Sequence, residues 1–311
     1  MYGSENEHMK TPEKVSSIST IHHFLGLKRP KNPLVSVFNF DDVKLYPETI
    51  LGAITIDFYV IALKKDCAGG KCRYGQQYYD FDEGIMYFIA PNQVFQFNDI
   101  LLNEVKGFVL VVHPDFLHGY RLASEIKEYG YFSYKANEAL YLSEKEEKII
   151  FDIIDNVGGE IDGNMDTFTQ DLVVSNLELL LKYCDRYYNR QFLTRKKVNN
   201  DLLSKLESLL DDYFKNDNLL VNGIPTVHFI AEQLHLSANY LSDMLRIQTG
   251  RTTQQHIQHR LIEKAKELLS TTELSVSEIA YQLGFDYPQS FHRLFKARTS
   301  VSPLEFRASF D

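Results

Sequence analysis

Ile230-Ala-Glu-Gln-Leu-His-Leu236 and Ile279-Ala-Tyr-Gln-Leu-Gly-Phe285 are two copies of one pattern, 49 residues apart. After one inserted residue the copies continue, with Leu241, Met244, Leu245 and Thr249 returning as Phe291, Leu294, Phe295 and Thr299 at a shift of 50. Each copy reads as a short helix, a tight turn and a second helix. Ala231 and Ala280 fall where two helices cross closely, so a small side chain is required. Leu234 and Leu245, with Leu283 and Phe295, bury each pair against itself. Gly284 stands where a positive φ would end the first helix of the second copy. The second helices are expected over 237–249, with Ser237 as N-cap, and over 287–298.

Between the copies, Ile257, Leu261, Ile262, Ala265, Leu268 and Leu269 recur at helical spacing within Thr253–Ser270. A helix of that length spans about 27 Å. With its flanking elements it would set the two second helices near one duplex turn, about 34 Å. Both would then project into major grooves roughly 12 Å wide on one face of a duplex.

Charge alone does not announce such a partner. The 311-residue chain carries a net charge of −9. From Ile224 to Asp311, however, nine basic residues meet nine acidic ones, so the acidic excess lies upstream. A neutral DNA-binding segment would lean on dimerisation or on gathering its cations on one face.

Upstream the pattern changes. Residues 34–40, 50–62, 84–90 and 107–112 are rich in β-branched and aromatic side chains, and turn material separates them. Short strands without long alternating helices predict an antiparallel barrel or sandwich. Beyond residue 140 the period becomes helical. Ser143 and the acids after it start one helix, which Gly158-Gly159 is expected to end. A second begins at Phe168, with Leu172, Val173, Leu177, Leu180 and Leu181 as a broad apolar stripe. These two helices would cap the barrel or meet a second copy of the chain. The basic stretch from Arg195 to Asn200 reads as a linker. The expected division is 1–192, a linker over 193–200, and 201–311.

The upstream half shows little chemistry. A metal-bearing barrel would place two histidines one residue apart, then a carboxylate and another histidine. Here His22 and His23 are adjacent and His113 stands nearly alone, so neither a metal nor a cofactor is expected. Phosphate-loop and nucleophile motifs are lacking, which points away from an enzyme. The aromatic run from Tyr74 to Phe97 reads as core or as a ligand cavity, with Arg73, Gln76, Gln77 and Gln96 as its polar partners. Cys67, Cys72 and Cys184 read as free thiols of a reducing compartment. With no apolar leader and no run of about 18 apolar residues, the expected location is cytoplasmic, away from the membrane.

The tandem pattern, together with Ser275-Val-Ser-Glu-Ile-Ala-Tyr-Gln-Leu-Gly-Phe285 and Ser290-Phe-His-Arg-Leu-Phe-Lys-Ala-Arg-Thr-Ser-Val-Ser-Pro-Leu-Glu-Phe-Arg307, resembles the AraC family over roughly residues 202–307. That resemblance implies a transcription regulator acting on double-stranded DNA. It also implies seven C-terminal helices and an N-terminal cupin-like domain that binds an effector or dimerises. The fold class would be α+β, an N-terminal antiparallel β-barrel with a helical dimerisation segment and a C-terminal all-α double helix-turn-helix domain. Implied partners are a homodimer mate, a small-molecule effector and RNA polymerase.

Carried over by position, the family's base readers fall on Asn239, Ser242 and Asp243 in the first unit. In the second they fall on Pro288, Gln289, His292 and Arg293. Arg293 suits guanine, and Gln289 or Asn239 suits adenine. Arg246, Lys296 and Arg298 fit phosphate contacts. Asp243 departs from the family's usual arginine, and Ser300 replaces its usual glycine. Arg293 has a plainer alternative, pairing with Asp286 or Glu305. Two other classes remain: a cupin enzyme with a helical appendage, and a metal-independent cupin-like protein whose helical domain binds a protein partner.

Overall fold

The computed structural model describes residues 13–44, 53–65, 71–74, 77–80, 84–96, 106–135, 138–163, 166–215 and 218–310. The chain divides into two compact units, Met1–Gln191 and Phe192–Asp311.

The first unit contains β1 (Glu13–Val15), α1 (Ile18–Phe24), β2 (Val35–Asn39), β3 (Ala53–Ile56), β4 (Tyr59–Lys65), β5 (Lys71–Tyr74), β6 (Gln77–Asp80), β7 (Gly84–Ile89), β8 (Val94–Gln96), β9 (Lys106–Val112), α2 (Leu122–Glu125), β10 (Leu140–Leu142) and α3 (Glu144–Asp162). It also holds most of α4 (Thr169–Thr194). Five strands form an antiparallel sheet in the order β10-β7-β4-β9-β2. A second sheet has the order β1-β3-β8, and β5 pairs with β6.

The apolar run over 50–62, expected as one strand, is divided between two sheets. Ile54 and Ile56 are buried in β3, with half-buried Thr55 between them, whereas Tyr59 to Leu63 are buried without interruption in β4. A strand covered on one face alternates, and one covered on both does not. The break falls at Asp57, whose carboxylate pairs with Lys14 at 3.0 Å and whose N–H donates to the Val15 carbonyl.

One face of the large sheet carries Val60, Ala62, Ile85, Tyr87, Val109 and Val111 into a core shared with Ile54, Ile56, Ile18 and Ile21. The other face meets the helices: Phe108 packs on Phe151 of α3, and Met86 lies 4.0 Å from Cys184 of α4. The large sheet is open among the described residues. Its β10 edge is satisfied by α4 rather than by another strand, because the Tyr141 N–H donates to Gln191 and its carbonyl accepts from Arg190. Among the described residues the strands thus form open sheets and do not close into a barrel.

Gly158 and Gly159 do not end α3, which continues to Asp162. Two helical glycines cost about 1 kcal/mol each relative to alanine, but burial of Val157 and Ile161 on either side of them holds the helix. Burial also explains Gly84. Its N–H donates to the buried Glu147 carboxylate at 2.6 Å, and an added Cβ would stand 2.5 Å from that oxygen.

The second unit is helical: α5 (Lys196–Lys215), α6 (Asn218–Asn222), α7 (Val227–Gln233), α8 (Ala238–Thr249), α9 (Thr253–Thr271), α10 (Val276–Gln282), α11 (Pro288–Thr299) and α12 (Pro303–Ala308). The stretch 193–200, expected as a linker, is helical on both sides of Arg195. Polar composition misled here, because buried Asn199 donates to the Phe192 carbonyl at 2.6 Å. Among the described residues eight helices stand where seven were expected, the additional one being the single turn of α6. It buries Leu219 and ends at Gly223 with φ of 72°.

Candidate nucleic-acid interface

In each copy of the repeat the two helices pack through residues the pattern singled out, although Leu234 is only half-buried where its counterpart Leu283 is fully buried. Ile230, Ala231, Leu241 and Leu245 are fully buried between α7 and α8, and Ile279, Ala280, Leu283, Phe291 and Phe295 between α10 and α11. Leu236 N–H donates to the Ala231 carbonyl, and Phe285 N–H to that of Ala280, so both turns close alike. The turn residue differs. Gly284 has φ of 79°, and its counterpart His235 adopts φ of 60° despite its side chain. Only at Gly284 does backbone crowd the turn, since an added Cβ would lie 2.8 Å from the Leu219 carbonyl oxygen.

Behind both units runs α9, opened by a capping box between Thr252 and Gln255. Ile257, Leu261, Ile262, Ala265 and Leu269 form its buried side. Arg260 pairs with Asp211 of α5. At the far end Arg307 of α12 donates to the carbonyls of Leu269 and Leu274 at 3.2 and 2.6 Å. These contacts fix the frame that carries the second helices.

Facing outward on α8, Asn239, Ser242, Asp243 and Arg246 occupy positions i, i+3, i+4 and i+7. The same phase on α11, 50 residues later, holds Gln289, His292, Arg293 and Lys296. Spacing of this kind places four side chains on one helical face. All four on α11 are exposed, and none has a hydrogen bond or ion pair among the described residues. Arg293 is thus not paired with Asp286 or with Glu305, which instead accepts from the Ser302 N–H at 2.6 Å. Pro288 fills the first helical position, where its missing N–H costs nothing.

The α8 stripe is occupied differently. Asp243 and Arg246 pair at 2.8 Å, and half-buried Ser242 donates to Thr253 of α9 at 3.0 Å. Arg298 is drawn back to Gln258 of α9 and lies off the α11 stripe. None of these three engagements follows from the pattern of the repeat. The i, i+3 spacing of Asp243 and Arg246 is a signal that would have found the first. The contacts to Thr253 and Gln258 bridge separate helices and leave no periodic trace. The effector-pocket candidates Gln76 and the side chains of Arg73, Gln77 and Gln96 lie outside the described residues.

The family described as "Helix-turn-helix domain" matches residues 230–309. The curated relative "HTH-type transcriptional activator RhaS" of Salmonella dublin is 26% identical over 263 residues, covering 82% of this chain and 87% of that protein. Residues 230–309 are thus similar to a helix-turn-helix domain, and over most of its length the chain is similar to a curated transcriptional activator. The RhaS protein of Salmonella paratyphi B is 32% identical over 139 residues, 44% of this chain and 48% of its own length. Among solved structures, a transcriptional regulator of Chromobacterium violaceum described as having an AraC-type DNA-binding domain is 20% identical. It covers 36% of this chain and 93% of its own, with a TM-score of 0.32. The chain is a DNA-binding transcription regulator, and its helix-turn-helix match lies in the tandem segment. Within that segment the two outward stripes differ in charge: α11 offers two cations, Arg293 and Lys296, the second within the field of Glu305, while α8 offers a cation and an anion that answer each other.

Proposed function

We propose that α11 is the principal base-reading element and that α8 contributes mainly orientation. In this reading Arg293 donates two parallel hydrogen bonds to guanine O6 and N7, and Gln289 meets a neighbouring adenine. Lys296 neutralises a phosphate, and His292 lies against the adjoining base pair. On α8, Asn239 is the one candidate reader with an exposed side chain, whereas Arg246 reaches phosphate only by leaving Asp243. The observation that carries the proposal is the pair of stripes in equal phase, one without hydrogen bonds or ion pairs among the described residues and one engaged within the protein.

The N-terminal unit has a second role in the proposal, as the dimerising and effector-binding half of a cytoplasmic regulator. Exposed Phe168, Leu172 and Leu179, spaced i, i+4 and i+11 along and just before α4, support a homodimer contact there. A small-molecule effector, a cupin-like cavity and contact with RNA polymerase rest on the family resemblance.

Selection of bound sites from a random duplex pool tests the reading. Two invariant clusters about one helical turn apart are expected, the sharper one containing guanine. Recovery of no sequence preference at any salt concentration would remove it.

A further inference from the structure

Five of the helices in the repeat region begin with a side-chain cap: Thr226 for α7, Ser237 for α8, Thr252 for α9, Ser275 for α10 and Ser302 for α12. In each, the hydroxyl accepts from a backbone N–H that the helix leaves unsatisfied. α11 departs from the rule. Its N-cap is Tyr287, which makes no side-chain cap hydrogen bond. A tyrosine hydroxyl is too far from the backbone to fold back onto the first turn.

Tyr287 is 70% exposed, and neither its ring nor its hydroxyl has a partner among the described residues. Its counterpart at the same junction of the first unit, Ser237, caps α8 through the Tyr240 N–H at 3.2 Å. The chain thus forgoes a stabilising cap and leaves an aromatic side chain in water, at the amino end of the helix bearing Gln289 and Arg293.

We infer that Tyr287 is a specificity-determining residue whose ring packs on the C5-methyl group of a thymine beside the base pairs read by Gln289 and Arg293. The inference rests on the DNA-reading role proposed for α11. Amino-terminal residues of such a helix are the ones that reach base edges in the major groove. The thymine methyl is the one apolar feature those edges present, and it is met by apolar side chains. The hydroxyl at the ring's far end remains in solvent or beside a phosphate oxygen.

The substitution Tyr287→Ser separates this role from a structural one, since serine restores the missing cap. The full chain is titrated with its selected duplex site and with versions in which each thymine in turn is replaced by uracil, which removes only the methyl. Tyr287→Ser is expected to raise the unfolding midpoint by roughly 2–4 °C while weakening binding about 5- to 10-fold, within the range of one lost base contact. One uracil replacement should weaken the native chain by a similar factor and leave Tyr287→Ser unaffected. Tyr287→Phe should retain the thymine preference. Native affinity in the serine variant, or equal uracil penalties for both proteins at every position, overturns the inference while leaving the role of α11 intact. A native chain that selects no site removes both.

Discussion

Asp243 and Arg246 hold each other at 2.8 Å across one turn of α8, and 50 residues later the same two positions are Arg293 and Lys296. The repeat therefore preserves the geometry of its outward face while changing the charge on it. In the first unit, on the phosphate-contact role proposed for it, Arg246 must give up Asp243 before it can bind a phosphate. An exposed pair of this kind contributes only a few tenths of a kcal/mol to folding, so its greater consequence falls on DNA.

Removing the acid should strengthen binding. With Asp243→Asn, Arg246 is released and the negative charge facing the duplex is lost. Affinity is expected to rise at low salt, and the slope of log K against log salt to steepen by about 0.9, the value for one added phosphate contact. Anisotropy titrations across a salt series measure both. An unchanged slope would mean that Arg246 does not reach the backbone.

The repeat was legible because close packing leaves a mark on sequence. Ala231, Ala280 and Gly284 are small where helices or turns approach, and Leu245 and Phe295 recur because both second helices bury the same face. Contacts between non-repeating helices leave no such mark, so the ties of Ser242 to Thr253 and Arg298 to Gln258 were not foreseen. In the upstream unit the strands were found, but their closure was not determined by pattern. Whether a strand edge meets another strand or a pair of helical side chains, such as Arg190 and Gln191, is decided by tertiary placement. The same applies to Gly158 and Gly159, whose local preference is overridden by buried neighbours.

The two unit turns should respond oppositely to substitution. Gly284→Ala forces a side chain into a positive-φ position and against the Leu219 carbonyl, with an expected loss of about 2–4 kcal/mol. His235→Gly relieves the same conformation in an exposed turn, with an expected gain of roughly 0.5–1 kcal/mol. Ser300→Gly, at φ of 67° after α11, should gain a similar amount. Urea unfolding of the three variants checks the ordering, and stabilisation by Gly284→Ala would contradict the account.

Acid should weaken both units. Burial lowers the pKa of His22, whose ring nitrogens meet the Lys28 carbonyl at 2.6 Å and Ser36 at 2.9 Å. Burial, aided by Arg251, also lowers that of His256, which bonds Thr249 at 2.9 Å. In the unfolded chain both titrate near 6.5. Below that pH the unfolded chain binds protons that the folded chain refuses, so stability is complete above it and declines as pH falls towards the lowered values. Unfolding midpoints measured from pH 7.5 down to 5.5 should decrease, and His22→Gln should flatten the part of that decline belonging to the first unit. A midpoint independent of pH over this window would rule out neutral histidines at buried His22 and half-buried His256.

Arg293 and Lys296, one turn apart on α11, should fail in different ways. Arg293→Ala removes a bidentate donor from a base edge, so the expected loss is about 1–3 kcal/mol on the selected site, with near-equal tolerance of all bases at one position. Lys296→Ala removes a charge that positions without reading. Its loss should be uniform across sequences and should lower the salt slope by about 0.9. Both residues are exposed and neither has a hydrogen bond or ion pair among the described residues, so neither substitution should shift the unfolding midpoint by more than a degree or two. A uniform loss from Arg293→Ala with base preference intact would move Arg293 to the phosphate backbone and leave the reading to Gln289 and His292.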